Sequence, residues 1–556
     1  MQLELNRKTL LLAFALTFVV YAILQLGVFH AITEYDHDRD LIIEQELVER
    51  GTFSYFGQAY VINPPINYIT HAVPIWLTGD LSYLAQQIIE IIMFAAAIIL
   101  IYFIALELTK DQKQAFIAFV LAAVSWTFIL ATAIRSYSIM LLMGTLLFYT
   151  YLRYLSKPGY KSAAIFGIVI GLAMLTKSSF FFLLVIMGVH LIWTLLTKQD
   201  YKYEHLGAIA ILTLVLYAPY LYYIFINGLP WPWQANLASL SGAWAAGAER
   251  IPIWHIYIEM LKTWPVLFAA GLVAIGLQIR SEKKSVLMST NFLLILTVLV
   301  TPLLVPLLLR LTALNHWFFL FIPLPILAAQ LVTKLEKHSK LLLVLLLVAI
   351  AVTGAYQISK NVSSEAVNGN EELNNFISEL SASDSLLSEW RYAYFNVFSD
   401  AYAEYSQGFD PGNAVVYAID YYISAEPIED APFLEPYKQM SSKTPVYGGD
   451  FYAYKVDLPV LLELGNFTSN GKILLTSSDG KPVSFARCSI YTEDWNLPQI
   501  SNNAGEIENI VPQGFSGEAK LRCVAMGYQQ YDGAISETIN LGELNGFRHN
   551  YKDTRF

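Results

Sequence analysis

The chain has 556 residues, of which 55% are hydrophobic and only 14% are charged. A soluble protein of this length needs a more polar surface, so the composition indicates a membrane protein. The formal net charge of −10 is uneven, because residues 1–370 carry +4 and residues 371–556 carry −14. We therefore expect a membrane part followed by an acidic, water-soluble part, whose charge argues against nucleic acid as a partner.

Apolar runs dominate the first two thirds of the chain. A helix needs roughly 20 apolar residues to cross the hydrocarbon core of a bilayer. About eleven such runs lie near residues 9–29, 86–106, 115–133, 137–155, 163–176, 179–197, 206–226, 264–279, 286–309, 315–333 and 340–358. The first run is longer than a signal-peptide core and lacks a small-residue cleavage site, so we expect it to be retained. The fold class predicted for residues 1–360 is a polytopic α-helical membrane domain.

The distribution of lysine and arginine predicts the orientation in the membrane. With the N-terminus inside, the inner segments hold fifteen of these residues and the outer segments up to the last span hold seven. Positive charge favours the cytoplasmic side. We therefore expect a multi-pass protein of the cell membrane with a cytoplasmic N-terminus and extracytoplasmic C-terminal domains. The two long connections, about residues 30–85 and 227–263, then share the outer side, where loops of this length are usually functional.

The first outer loop begins with four carboxylates within seven residues: Glu34, Asp36, Asp38 and Asp40. Like charges this close repel one another unless a cation lies between them. An Asp-X-Asp pair can bind a divalent cation such as Mg or Mn, and a single carboxylate can act as a general base on an acceptor hydroxyl. A solvated loop or helix cap is the structural alternative.

The rest of this loop predicts two short helices lying in the membrane interface. Residues 41–50 read as a helix ending at Gly51, and Asn63-Pro64-Pro65 precedes an amphipathic stretch over residues 66–84. Such helices would hold the acidic cluster just above the bilayer. Glu90, about one turn inside the second span, is predicted to be a simple interfacial residue.

Three short motifs together give residues 1–360 a family resemblance. The first is the acidic start of the outer loop, followed by Gly51 and the two prolines. The second is Arg135-Ser-Tyr137 at the entry to the fourth span, and the third is the sequence GLAMLTK at 171–177. In this order they resemble the membrane-embedded glycosyltransferases of the GT-C type, which use polyprenyl- or dolichyl-phosphate sugars. The nearest groups are the protein O-mannosyltransferase-like and aminoarabinose-transferase-like families.

The resemblance implies which residues carry the chemistry. By its spacing to Gly51, Asp36 best matches the family's catalytic acid, and Asp38 is the second candidate, with the same pair as possible metal ligands. His37 stands where relatives have a second acidic residue, which leaves the choice of base and the use of a metal open. The positions assigned to substrate binding are Glu34, Pro65 and Tyr137.

Cations at predicted outer ends of spans are candidates for the donor phosphate. Fixed cations in a poorly hydrated site stabilise the charge that develops on a departing phosphate. The alternative is that each side chain snorkels to the lipid headgroups. The resemblance favours phosphate binding for Arg135 and Lys177. Near the tenth span, Asn315-His316-Trp317 replaces the family's Arg-Tyr pair, so His316 or Arg310 could take over the role of that arginine.

The tail predicts two domains outside the membrane. Residues 361–456 mix helical runs with strands, including one near residues 415–419, and predict an α/β domain. Residues 457–556 predict short strands in a β-sandwich resembling the carboxypeptidase-regulatory-like fold. The chain's two cysteines, Cys488 and Cys523, both lie there and could form a disulfide or remain as buried thiols.

The function that this sequence favours is inverting transfer of a sugar from a polyprenyl- or dolichyl-phosphate carrier to an acceptor on the outer membrane face. The implied partners are the lipid-phosphate sugar donor, membrane lipids and a protein, glycan or lipid acceptor. One alternative is a transporter or channel with an extracytoplasmic sensor domain. A second is a catalytically inactive receptor that binds a lipid-linked sugar.

Overall fold

The structure is a computed structural model of the chain that clusters into two units, Met1–Phe29 with Val61–Ser363 and His30–Tyr60 with Ser364–Phe556. It describes residues 7–28, 40, 43–48, 51–55, 58–59, 64–78, 83–125, 137–197, 203–227, 254–282, 291–303, 314–338, 341, 344–346, 348–350, 352–353, 371–389, 395, 399–406, 408–428, 431–442, 449–525 and 528–542.

The first unit is helical. Its helices are α1 (Arg7–Val28), α2 (Pro65–Thr78), α3 (Tyr83–Thr109), α4 (Gln112–Ala123), α5 (Tyr137–Ser156), α6 (Tyr160–Met174), α7 (Phe180–Thr197), α8 (Tyr203–Ile226), α9 (His255–Thr263), α10 (Pro265–Glu282), α11 (Asn291–Leu299), a 3-10 helix (Leu314–Phe321) and α12 (Pro323–His338). Within the described ranges, five helices are long and apolar enough to cross a membrane, or six if the bent pair α9–α10 is one span. A multi-pass helical membrane protein is thus confirmed, and the number of about eleven spans stays a prediction.

Local sequence explains where several of these helices begin and how closely they pack. The Asp111 carboxylate accepts the backbone N–H of Lys113 at 2.8 Å and caps the start of α4. Pro65 opens α2, where its missing N–H costs nothing. A Cβ at Gly167 would lie 2.7 Å from the Ile209 carbonyl oxygen, so glycine there lets α6 and α8 approach backbone to backbone.

Polar contacts gather at the end of the bundle that was predicted to face the cytoplasm. Glu107 at the end of α3 lies 3.5 Å from Arg153 near the end of α5 and 2.9 Å from Lys110. The hydroxyl of Tyr160, which opens α6, donates to Glu204 in the first turn of α8 at 2.6 Å. Each contact joins segments that share one predicted side, as an up-and-down helix arrangement requires.

The second unit includes part of the first outer loop. Residues 43–48 are helical, and the N–H of Gly51 donates to the Leu47 carbonyl at 3.0 Å. Gly51 has φ +66°, a left-handed conformation that glycine adopts without strain at the end of a helix. The predicted helix end is therefore confirmed. The short strands β1 (Ser54–Tyr55) and β2 (Gln58–Ala59) pair directly afterwards.

The tail begins with a five-stranded sheet in the order β4-β3-β5-β7-β6. The strands are β3 (Ser385–Ser388), β4 (Tyr402–Tyr405), β5 (Tyr421–Ser424), β6 (Leu434–Ser442) and β7 (Gly449–Val456), and the helices are α13 (Glu371–Glu379), α14 (Pro411–Val416) and α15 (Leu458–Leu464). The strand predicted at residues 415–419 is wrong. Asp410 caps a helix that Pro411 opens, and the chain turns at Ala418, where φ is +43°.

Two further sheets follow, with orders β10-β9-β12-β13 and β11-β8-β14. Their strands are β8 (Phe467–Ser477), β9 (Arg487–Tyr491), β10 (Asn496–Ile500), β11 (Glu506–Pro512), β12 (Lys520–Val524), β13 (Tyr531–Ala534) and β14 (Thr538–Leu541). Leu475 and Ile539 from one sheet share a hydrophobic cluster with Ile490 and Leu521 from the other. The C-terminal region is therefore rich in sheet, as predicted.

A disulfide joins Cys488 and Cys523 within this cluster. The two residues are direct partners in the register of β9 and β12, and both side chains are fully buried. Disulfides persist in oxidising compartments, which agrees with the expectation that the tail lies outside the cytoplasm.

Replacing both cysteines with alanine is expected to destabilise the C-terminal sheets by about 2–4 kcal/mol, because the bond restrains the unfolded chain. The measurement is limited proteolysis of the purified full-length protein over a temperature series. New cleavage within residues 467–541 should begin at lower temperature in the variant. Identical cleavage of the variant and the wild type would contradict a stabilising role for the bond.

The five-stranded sheet and the C-terminal sheets contact each other through backbone and amide groups. The Asn502 side chain donates to the Ser383 carbonyl and the Ala504 N–H to the Ala382 carbonyl, both at 2.9 Å. Asp420 accepts the Ser385 N–H at 2.9 Å. Burial raises the pKa of Asp420 to about 6 from its usual 3.8, although the Ser385 bond opposes the shift.

This raised pKa predicts a pH-dependent stability. Between about pH 4 and 6 the folded protein holds a proton on Asp420 that the unfolded chain releases, so stability falls as pH rises through this window. Asp420→Asn should therefore raise the unfolding free energy at pH 7.5 by about 1–3 kcal/mol and leave it nearly unchanged at pH 4. Thermal unfolding of both proteins at the two pH values checks this. An equal difference at both would contradict it.

Candidate functional site

The turn between α6 and α7 carries Lys177, one of the predicted phosphate ligands. A Cβ at Gly171 would lie 2.9 Å from the Leu216 side chain of α8, so this glycine fixes how closely the two helices pack. The N–H of Lys177 donates to the Ala173 carbonyl at 3.1 Å, and its own carbonyl accepts the Phe180 N–H at 3.2 Å. The GLAMLTK motif thus builds a tightly hydrogen-bonded turn with Lys177 half-buried at its end.

Helix α2 begins beside this turn. The N–H of Ile66 donates to the Leu175 carbonyl at 2.9 Å. The Ile66 side chain packs on a small cluster formed by Leu175, Tyr220 and Ile224. Pro65, predicted to contact substrate, therefore lies at the helix start that is bonded to the α6–α7 turn. A resemblance in sequence order has become a contact in space.

Tyr137 is held at the same end of the helical unit. It opens α5, is 5% exposed, and stacks on Phe318 with ring centroids 5.4 Å apart. The next residue of the 3-10 helix, Phe319, packs on Phe180 at 5.8 Å, three residues beyond Lys177. His316 belongs to this 3-10 helix, but its side chain lies outside the described residues. The structure thus brings Tyr137, the 3-10 helix and the start of α7 together.

Five other predicted site residues lie outside the described residues: Glu34, Asp36, Asp38, Arg135 and Arg310. Asp40, the last carboxylate of the acidic cluster, is described and is only 2% exposed. A freely solvated loop would leave this side chain in water, so at least this member of the cluster has a protein environment. Among the described side chains, no group of three His, Cys, Asp or Glu is placed to hold a metal ion.

A buried polar cluster that the sequence did not predict lies between α2 and α3. His71 Nδ1 lies 2.8 Å from the Asn67 carbonyl oxygen, and Nε2 contacts the Glu90 carboxylate. A carbonyl oxygen can only accept, so Nδ1 carries a hydrogen and the His71–Glu90 contact holds one shared proton. Asn67 and His71 are 0% exposed and Glu90 is 3% exposed. Glu90 is therefore not a simple interfacial residue, because it is buried and paired.

Several polar atoms of this cluster have no partner within the described part of the chain. They are Asn67 Oδ1, Asn67 Nδ2 and the second carboxylate oxygen of Glu90. Leaving a buried amide without hydrogen bonds costs about 1–3 kcal/mol, and a carboxylate oxygen costs more. Buried polar groups that persist at such a cost generally serve a ligand or bound water. This signal depends on the packing of two helices and is therefore not visible in the sequence.

The helix that carries Asn67 and His71 is polar on its inner face and apolar on its outer face. Ile69, Val73, Trp76 and Leu77 are exposed, and their spacing places them along one side of α2. A helix in water shows the reverse pattern. The exposed side of α2 therefore suits contact with lipid, while its polar side lies in the protein interior.

Comparison with known proteins supports a GT-C-like fold. A family model for dolichyl-phosphate-mannose-protein mannosyltransferase matches residues 51–238, whereas no curated protein matches the chain. The solved structure of ArnT from Cupriavidus metallidurans bound to undecaprenyl phosphate is 13% identical, with a TM-score of 0.58 over 81% of this chain and 98% of that chain. Archaeal oligosaccharyltransferase AglB from Archaeoglobus fulgidus, in complex with an inhibitory peptide and a dolichol-phosphate, is 10% identical, with a TM-score of 0.51 over 96% and 99%. Both are GT-C glycosyltransferases, so the predicted resemblance is confirmed.

Proposed function

We propose that this protein transfers a sugar from a polyprenyl- or dolichyl-phosphate carrier to an acceptor on the outer face of the membrane. The observation that carries the proposal is the convergence at one end of the helical unit. There the Lys177 turn, the start of α2 and the Tyr137–Phe318 stack are linked by direct contacts. The matching family model and the likeness to structures solved with undecaprenyl phosphate and dolichol-phosphate support the same conclusion.

In the proposed reaction, Asp36 or Asp38 removes the proton of the acceptor hydroxyl, and the acceptor oxygen attacks the anomeric carbon. The bond from that carbon to the phosphate oxygen breaks, and the configuration inverts. Lys177 and Arg135 stabilise the charge on the leaving phosphate, with Arg310 or His316 as a further ligand. Glu34, Pro65 and Tyr137 contact the substrate. A Mg or Mn ion at Asp36 and Asp38 is compatible with this assignment but is not required by it.

The finer architecture belongs to the same proposal. It includes about eleven spans, a cytoplasmic N-terminus, an extracytoplasmic α/β domain over residues 361–456 and a β-sandwich over residues 457–556. The disulfide and the charge bias support an outer position for the tail. The shared hydrophobic cluster of the two C-terminal sheets supports the sandwich.

Two other functions are distinguished by the same assay. A transporter or channel would move solute without transferring sugar, and a degenerate receptor would bind the lipid-linked sugar without turnover. Transporters tend to place ionisable groups near the middle of the bilayer. In this protein the described phosphate candidate, Lys177, follows the end of a span instead.

The assay uses the full-length protein in proteoliposomes with radiolabelled polyprenyl-phosphate sugars and a membrane extract as the source of acceptor. We expect label to leave the lipid donor and to appear in an acceptor fraction. Solute uptake with an intact donor would favour a transporter. Saturable donor binding without loss of label would favour a receptor.

A further inference from the structure

We propose that Asn67, His71 and Glu90 form a subsite for hydroxyl groups of the sugar carried by the lipid donor. This inference rests on the proposed function, because it assigns a place to the sugar of that donor. It starts from a different observation, which is the set of buried polar atoms without protein partners between α2 and α3.

The chemistry of the open atoms selects the kind of ligand. The Asn67 amide offers two N–H donors and one accepting oxygen, and Glu90 offers a second accepting oxygen. A sugar hydroxyl both donates and accepts, so neighbouring hydroxyls on a ring can satisfy an amide and a carboxylate together. A phosphate only accepts and would be repelled by a carboxylate. The open atoms therefore match a polyol better than the phosphate of the carrier.

His71 acts as a positioning residue in this arrangement. Both of its ring nitrogens are engaged, one by the Asn67 carbonyl and the other by Glu90. The ring therefore fixes the Glu90 carboxylate against α2, with the second carboxylate oxygen left for a ligand. Asn67 and His71 are one helical turn apart and share a face of α2. The cluster is thus organised before a ligand arrives, which lowers the entropy lost on binding.

The location of the cluster suits the donor sugar. Ile66, the residue before Asn67, is hydrogen-bonded to the Leu175 carbonyl, two residues before Lys177. A donor whose phosphate binds at the Lys177 turn would have its sugar attached directly to that phosphate. The first turn of α2 is therefore within reach of the sugar, and the start of the same helix adjoins the proposed phosphate site.

The test compares three probes on the purified full-length protein: dolichyl-phosphate mannose, dolichyl-phosphate glucose and sugar-free dolichyl phosphate. The main variant is Asn67→Leu, which keeps the branching of the side chain and removes its polar atoms. Since those atoms have no protein partner, this substitution should not lower the melting temperature. Val73→Leu on the exposed face of α2 is the matched control.

We expect the wild type to bind one of the glycosylated probes more tightly than sugar-free dolichyl phosphate. Asn67→Leu should weaken that binding about 10–100-fold and leave the sugar-free probe unchanged. Glu90→Gln, which keeps the shape of the side chain, should show a smaller loss of the same kind. Val73→Leu should change neither.

Three results would overturn the subsite. They are no sugar preference in the wild type, unchanged binding of the preferred glycosylated probe by Asn67→Leu, and equal loss of both probe types in a variant that still melts at the wild-type temperature. Failure of the proposed function is separate, because in that case the wild type would bind none of the three probes. A protein that binds sugar-free dolichyl phosphate through Lys177 but shows no sugar preference would retain the phosphate site and lose this inference.

Discussion

Asp36→Asn is expected to lower the rate of sugar transfer by about 10²–10⁴-fold, the range typical for loss of a general base. Asparagine keeps the size of the side chain but cannot take a proton from the acceptor hydroxyl. Binding of the lipid donor should persist, because the phosphate ligands are separate residues. The measurement is single-turnover loss of radiolabel from the donor in proteoliposomes, alongside equilibrium binding of the same donor.

Asp38→Asn is the matched comparison, since it removes the same charge two residues away. A large loss in Asp36→Asn with a modest loss in Asp38→Asn would assign the base to Asp36, and the reverse would assign it to Asp38. Large losses in both, restored in part by added Mg or Mn, would point to a shared metal. Full activity in both variants would remove the enzymatic assignment of the acidic cluster.

Lys177→Met is expected to weaken binding of sugar-free polyprenyl phosphate by about 10–100-fold, because it removes a charge-assisted contact to the phosphate. Methionine keeps most of the length and apolar stem of lysine, so the α6–α7 turn should remain. Transfer should slow as well, since the same cation stabilises the leaving phosphate. Native mass spectrometry or a fluorescent lipid-phosphate probe measures the binding.

Lys161→Met provides the control on the same helix. Lys161 is exposed near the start of α6, about 20 Å from Lys177 by the rise of an α-helix, at the end predicted to face the cytoplasm. It should leave binding unchanged. Equal weakening by both variants would indicate general attraction between the protein's positive charge and the lipid, and would contradict a specific phosphate site at Lys177.

Features that depend on local sequence were predictable. Long apolar runs gave helices such as α5 and α7 nearly at their observed bounds, and the C-terminal glycine signal placed the end of a short helix at Gly51. The strand predicted at residues 415–419 failed because apolar residues alone do not separate a strand from a short capped helix. The Asp410-Pro411 start signal outweighed the β-branched valines.

The candidate site was predictable only in part. Lys177, Tyr137 and Pro65 were found from motifs, and the structure adds the contacts that bring their helices together. The polar cluster on α2 was missed because a single Asn, His or Glu in an apolar segment looks like an interfacial residue until the partner helix is known. The disulfide was undecided for the same reason, since it depends on the register of β9 and β12.

The most direct test of the central claim is an experimental structure of the full-length protein with bound polyprenyl phosphate. We expect the phosphate at the end of α6, with a phosphate oxygen about 3 Å from the Lys177 amine. The lipid chain should extend along the apolar helices from that point. A phosphate bound instead at the opposite end of the bundle, beside Arg153 and Lys110, would contradict the account.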